Sequence, residues 1–578
     1  MQAAAGIQAS GRLRDVGEVL RIALTALSLT LLAAGAAFSD PDLVLAAAFA
    51  LYLGNLIHAL TDVRRRFIQV FLYLGLFLFV FSRPLIVFFD PAMNNAELST
   101  GPVTFIAYAL YLSLGALFIA DLVWDQFEAH NRWFQREHRP LHRLRLVTGA
   151  PASGRRRRPL AAVRSGLRRL VPGASERIDV LRRACLVLFI VCFLGACVYG
   201  LLEWRHMRGM TYLQFYLTES SDFAPSYIEV LYAMAPYMLA GYLTCLPRKR
   251  PATICLALYV LTTIPTLLIG SRSDFVAAAV FCLLYYGLRT ALRKETGDPE
   301  RWFTPGLVIL ILIILPLGLA VMGFWSYLRL NQVMQTTNIF KTIEQALYSQ
   351  GVTYTIMGYA YNVNGQVSLL GFKFYTIGDL FTTIREGFVG QQLLHMQSLG
   401  TANSVALAVE GNSYAHAMSF FAHGGYLDGE GYGSSYILEL FADFGYGGVF
   451  GGSLVLGLVF NALSRAIGKS WFWGLIGLLA GMHAFHMPRG YWFEWISYIY
   501  STRFILAMVL VVAVAALLWR FFTAKEVQVA PAPSIREPKR VSLVPGAASV
   551  LGARVLADAP ARHEGPLIVV DSSVRLVQ

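Results

Sequence analysis

Residues 184–202 read Ala-Cys-Leu-Val-Leu-Phe-Ile-Val-Cys-Phe-Leu-Gly-Ala-Cys-Val-Tyr-Gly-Leu-Leu, nineteen positions without one charge. As a helix rising about 1.5 Å per residue, such a stretch crosses a hydrocarbon core of about 30 Å and keeps no polar face for water. Windows of the same kind recur, and together they predict twelve helices, over 18–38, 43–60, 67–89, 103–124, 184–202, 228–246, 252–270, 276–292, 305–326, 439–462, 470–486 and 502–522. The whole chain agrees: 578 residues that are 56% hydrophobic and only 14% charged, with mean hydropathy +0.54, exclude an ordinary soluble enzyme. The fold class is all-α, a polytopic membrane bundle of about twelve transmembrane helices. Cys185, Cys192, Cys197, Cys245, Cys255 and Cys282 all fall in or at the ends of apolar spans, so they read as small core hydrophobes, with no disulfide or zinc framework.

Charge sets the sides. Lys and Arg outnumber Asp and Glu 48 to 35, and the excess is placed as membrane sidedness requires, not as a nucleic-acid surface. Arg12 and Arg14 precede the first span, Arg64–Arg66 follow the second and Arg248–Arg250 follow the sixth. Segment 125–183 carries 15 Arg against 5 acids, whereas 328–436 carries only Arg329, Lys341, Lys373 and Arg385. The first is then cytoplasmic and the second an outer loop, with both termini inside. The small residues Ala33–Ala37 could suit signal peptidase, but a tight turn leads straight into the next span, as in an uncleaved anchor. The expected parts are N-terminal spans (1–124), a basic cytoplasmic loop (125–183), central spans (184–327), a large periplasmic loop (328–438), C-terminal spans (439–522) and a Pro-rich disordered cytoplasmic tail (523–578). Arg155–Arg158 read as a retention signal that touches anionic lipid. No repeat relates the two halves, which weakens a transporter reading.

Chemistry in a membrane protein sits in a wet cavity or at the interface, because a charge facing lipid costs several kcal/mol. The outer side offers few candidates. Gly270-Ser271-Arg272-Ser273-Asp274 turns tightly between two spans and puts Arg272 at the outer mouth. Its guanidinium either snorkels or pairs with Asp274, or it forks onto phosphate oxygens. Arg489 follows Pro488 at the end of another span, with Arg385 and Arg503 as weaker candidates. His483 and His486 share a helical face, a spacing that more often serves interhelical hydrogen bonds than metal.

The large loop is densest in sugar-type and proton-transfer groups between Gly411 and Gly448: Asn412, Tyr414, His416, Asp428, Glu430, Tyr432 and Tyr436, with glycines at 429, 431 and 433. A flexible glycine-rich entry to a helix explains the glycines alone. The carboxylates, aromatics and amides also suit hydroxyl recognition. Glu439 and Asp443 share a helical face and could do no more than complement the helix dipole. No Walker loop, HExxH, dinucleotide fingerprint or nucleophile elbow is present, and Asp40-Pro41-Asp42 reads as a turn.

At Gly270-Ser-Arg272, Gly411-Asn-Ser-Tyr-x-His416 and Gly429-Glu-Gly-x-Gly-Ser-Ser-Tyr436, which runs into Glu439-Leu-x-x-Asp443-Phe-Gly-x-x-Gly448, the chain resembles the Wzy-type O-antigen polysaccharide polymerases, over roughly 180–520. The resemblance implies a bundle like the GT-C-like integral-membrane glycosyltransferases, in the bacterial inner membrane with its active site on the periplasmic side. It implies a polymerase that moves a growing glycan from undecaprenyl diphosphate to a hydroxyl of an incoming undecaprenyl-diphosphate-linked repeat unit. Membrane lipids, a chain-length regulator and a flippase are the expected partners, with no cofactor, metal or nucleic acid. The residue expectations are Arg272, Arg489 and Arg385 on the diphosphate, and Asn412, Tyr414, Tyr432 and Tyr436 on the glycan. Glu430 is the expected base, ahead of His416 and Asp428. A lipid-linked glycan ligase would use the same donor, and a flippase would place its ionisable groups at mid-membrane.

Overall fold

The computed structural model describes residues 2–94, 97–137, 174–207, 223–269, 273–296, 298, 300–309, 338–387, 389–400 and 402–529. Residues 1–522 form one compact unit; of the second, 523–578, the described residues 523–529 are helical. In chain order the helices are α1 (Gln2–Phe38), α2 (Pro41–Thr61), α3 (Phe67–Leu76), α4 (Ser82–Phe89), α5 (Thr100–Glu137), α6 (Ala174–Met207), α7 (Ser226–Thr244), α8 (Lys249–Thr262), α9 (Ile264–Ile269) and α10 (Ser273–Thr296). The long segment between α10 and the next long apolar helix holds α11 (Ile339–Gln350), α12 (Val352–Ser368), α13 (Gly378–Glu386), α14 (Val405–Glu410) and α15 (Tyr414–Ala422). Then come α16 (Tyr436–Ala466), α17 (Trp471–Ala484) and α18 (Thr502–Val529).

The protein is all-helical among the described residues, and nine of its helical stretches are long and apolar enough to cross a membrane. They coincide with nine of the twelve expected windows. Two more windows are helical but do not reach that measure: α7 carries Pro236 inside it, and α17 spans only 14 residues. Of the window 305–326, residues 310–326 lie outside the described residues, as does 138–173 of the basic loop, with Arg155–Arg158, and the tail from 530.

The core forms where α2, α3, α5, α16 and α17 meet, around Phe67, Phe71, Leu114, Leu117, Phe460 and Leu478, none with any exposed surface. Small residues let these helices approach: a Cβ on Gly457 of α16 would come within 2.5 Å of the Ala120 Cβ on α5. At one end the bundle is welded by buried charge. Arg66 meets Asp125 at 2.6 Å and Asp121 at 3.3 Å, Arg465 meets Glu128 at 2.9 Å, and Gln69 and Asn461 both donate to Asp121 at 2.7 Å. Arg21 of α1 stands 3.8 Å from Asp121. Each charge is matched, which is what makes its burial tolerable.

Two departures from regular helix shape the opposite end. Residues Phe77–Phe81 form a wider π-turn between α3 and α4, closed by the Ser82 N–H donating to the Phe77 carbonyl. Helix α16 is broken at Gly445, whose φ of 62° is a left-handed value that glycine adopts without strain. The break sets Tyr436–Phe444 apart from the rest of α16. That first piece carries Glu439 and Asp443.

Candidate active site

The glycine-rich stretch is well fixed. Asn403 donates through Nδ2 to the carbonyls of Tyr426 and Glu430, both at 2.9 Å, which closes the turn Tyr426–Asp428. Gly429 leaves that turn with φ 92°, the one glycine of the three that needs its freedom for a positive φ. Ser419 on α15 then clamps Tyr432 from both sides: its Oγ accepts from the Tyr432 N–H at 2.9 Å and donates to the Tyr432 carbonyl at 3.1 Å. Ser435 caps α16 by accepting from the Ile437 N–H.

This fixation places Glu430 beside His423. The Gly425 N–H donates to His423 Nδ1 at 3.2 Å, so the ring proton resides on Nε2, 3.7 Å from Glu430 Oε2. The His423 ring lies edge-on to Tyr432, with centroids 4.7 Å apart. The Glu430 side chain is 49% exposed, and the imidazole of His423 is its polar neighbour in the stretch. His416 points elsewhere: its Nδ1 is 3.1 Å from the Tyr426 hydroxyl, and burial pulls its pKa down, so the ring is neutral. Asp428 is exposed on the adjoining turn.

Arg489 closes the other side. It ends the short turn Met487–Arg489 and is exposed, and its backbone presses on the glycine-rich stretch. A Cβ on Gly433 would lie 3.2 Å from the Arg489 carbonyl oxygen and 3.8 Å from its Cγ. The structure thus brings 429–436 and Arg489 together. Asp274 and Arg489 both lie close enough to His486 for their charges to act on its ring. Arg272 itself lies outside the described residues. Arg385 belongs to a different neighbourhood, with Nη1 3.5 Å from the Glu410 carbonyl, and Arg503 pairs with Glu229.

Glu439 and Asp443 are clamps rather than dipole partners. Glu439 Oε2 accepts from the Trp492 N–H at 2.8 Å and so pins the segment after Arg489 to α16. Asp443 accepts from the Tyr375 N–H at 3.0 Å, the Thr376 N–H at 2.7 Å and the Thr376 hydroxyl at 2.5 Å, which pins the loop ahead of α13. Asn412 donates to the Lys373 carbonyl in the same loop. Two expected glycan contacts are corrected by burial. Tyr414 is buried edge-on to Tyr375, and Tyr436 is buried with its hydroxyl 2.8 Å from Ser113 Oγ, so both hold helices together. Tyr432 alone of the three tyrosines keeps exposed surface.

Sequence reasoning missed His423 as an orienting group and Glu494 altogether. Glu494 Oε2 is buried, makes no hydrogen bond and packs against Gly490, while burial pushes its pKa up to about 8. Asp379, hydrogen-bonded by the Tyr500 hydroxyl, is raised too by its burial. The signal for Glu494 was a lone carboxylate in the aromatic run Tyr491-Trp492-Phe493-Glu494-Trp495, where water is scarce.

No curated protein and no solved structure matches the chain. A family model does, the O-antigen polysaccharide polymerase Wzy, and its match covers residues 20–520, most of the chain. With that extent of match, and with nine helices among the described residues long and apolar enough to cross a membrane, the chain belongs to the Wzy family of O-antigen polysaccharide polymerases.

Proposed function

We propose that the protein transfers a growing glycan from undecaprenyl diphosphate to a hydroxyl of the next undecaprenyl-diphosphate-linked repeat unit, on the periplasmic face of the inner membrane. The observation that carries this reading is the close approach of Gly433 to the Arg489 carbonyl oxygen and Cγ, which brings the base of that side chain to the stretch holding Glu430 and Tyr432. Arg489 and Arg272 take the donor diphosphate, with Arg385 as the third candidate for it. As the sugar carbon–oxygen bond breaks, its electron pair passes to the diphosphate oxygen, where the fixed cations stabilise it. The acceptor hydroxyl attacks from the opposite side, with inversion, and its proton passes to Glu430, which the His423 N–H orients; His416 and Asp428 are the next candidates for base. Asn412 and Tyr432 contact sugar.

The same reading takes the bundle as twelve-spanning and GT-C-like, both termini as cytoplasmic, and the parts as bounded at 124, 183, 327, 438 and 522. A chain-length regulator and a flippase are its partners. The decisive experiment incubates purified protein with lipid-diphosphate-linked repeat units and no nucleotide. A ladder of products spaced by one repeat is expected; a single unchanged band sinks the proposal.

A further inference from the structure

One cation near this site has no role in the reaction as described so far. Arg83 lies in α4, just past the π-turn, and is the only charged residue in the predicted span 67–89. It does not snorkel out from the bundle. Its guanidinium sits 4.2 Å over the Tyr348 ring of α11, and Nη2 donates to the Tyr348 hydroxyl at 2.7 Å. The seat is built closely. Ser82 Oγ lies 3.1 Å from the Leu347 carbonyl, and a Cβ on Gly351 would come within 2.6 Å of the Arg83 backbone nitrogen. Among the described residues no carboxylate pairs with Arg83. The guanidinium is half-buried and is held by neutral groups.

Position connects it to the reaction. Four residues before Arg83, the Phe79 ring packs 5.4 Å from Phe485 and 6.1 Å from His486, the segment that leads into Arg489. Tyr348 belongs to the same long segment between α10 and α16 as Glu430. The π-turn that leads into Arg83 therefore packs against the segment that leads into Arg489. A guanidinium has five N–H donors, and Tyr348 uses one, so a fork remains for phosphate oxygens. Polymerisation from lipid carriers brings two diphosphates to one site, one on the donor and one on the acceptor. Arg489 and the 270–274 hairpin serve the first.

We infer that Arg83, seated on Tyr348, binds the diphosphate of the second lipid-linked substrate, the acceptor. This rests on the proposed transfer between two lipid-linked units, and it adds a binding site to that reading.

The test reads binding without turnover. Farnesyl diphosphate, a lipid diphosphate that carries no sugar, is titrated by calorimetry into the purified full-length protein in phosphatidylglycerol-free detergent. Two molecules are expected to bind wild type, and one each Arg83→Ala and Arg489→Ala. Arg83→Lys keeps charge but loses the fork, so its second site should weaken roughly tenfold. A single bound molecule in wild type, or two in Arg83→Ala, overturns the inference. If Arg83→Ala misfolds and binds none, Arg83→Lys decides, and an unchanged second affinity overturns the inference. Inorganic pyrophosphate should displace ligand from the Arg83 site, and phosphatidylglycerol at equal concentration should not; displacement by phosphatidylglycerol would reduce the site to a head-group contact and overturn it. Failure of the polymerase reading is distinguishable, because two bound diphosphates without a glycan ladder would sink the transfer alone.

Discussion

At the scale of single residues, the proposed site divides between an exposed carboxylate, Glu430, and a buried one, Glu494. Arg489→Ala should lower turnover by about 10²–10³, the usual loss when one fixed donor to a developing charge is removed, while Glu430→Gln should cost about 10². Both are read as repeat units added per minute at saturating donor; full turnover in either removes that residue from the mechanism. Glu494 makes a different prediction. The folded protein holds its proton up to about pH 8, whereas an unfolded carboxyl releases it near pH 4. Between those values the folded state binds more protons, so stability falls as pH rises. Glu494→Gln should flatten that fall, giving a melting temperature above wild type at pH 8 and equal to it at pH 4. Equal slopes for both proteins would show that the carboxyl is already ionised. Sequence pattern picked out Arg489 and Glu430 because both are charged where charge is unusual. It could not pick out Glu494, whose proton affinity depends on how Gly490 and the surrounding aromatics fold over it.

Among the elements, the motif Glu439-Leu-x-x-Asp443 shows how much spacing can reveal. That both carboxylates share a face was readable from four-residue periodicity. What they hold was not, because their partners, Trp492 and Tyr375–Thr376, are tens of residues away in the chain. Asp443→Ala removes three hydrogen bonds to the loop, and about 1–3 kcal/mol of local stability should go with them. Hydrogen exchange should rise at 374–378 and stay unchanged at 490–494, which Glu439 secures; a uniform rise would mean that the clamps are not separate. The long apolar helices were legible from apolar windows alone, although α1, α5 and α6 run well past theirs into polar sequence, and α11–α15, which are too short or too polar for such windows, were not. The Gly445 break and the π-turn were not, since Phe444-Gly445-Tyr446 and Phe77–Phe81 look like any apolar run until neighbours fix their dihedrals.

For the whole molecule, lipid-facing α1 and α18 were the easiest parts to read, and the weld of Arg21, Arg66, Arg465, Asp121, Asp125 and Glu128 the hardest. Arg66 looked like a sidedness marker; folding turns it inward, to Asp125, which Arg465 also meets. Breaking such a pair strands a buried charge, so Arg66→Ala should cost about 3–5 kcal/mol and show as a lower melting temperature in detergent, with Arg66→Ala/Asp121→Ala recovering part of the loss. No recovery would mean that the two residues do not interact. The weld also has a calendar. Arg66 leaves the ribosome before Asp121 and Asp125, so a counter-ion is waiting when those acids reach the bilayer, but Arg465 and Asn461 arrive some 340 residues later. Until then the nascent chain carries a half-quenched knot that quality-control proteases can recognise, and biogenesis should commit only when the late helix slides home.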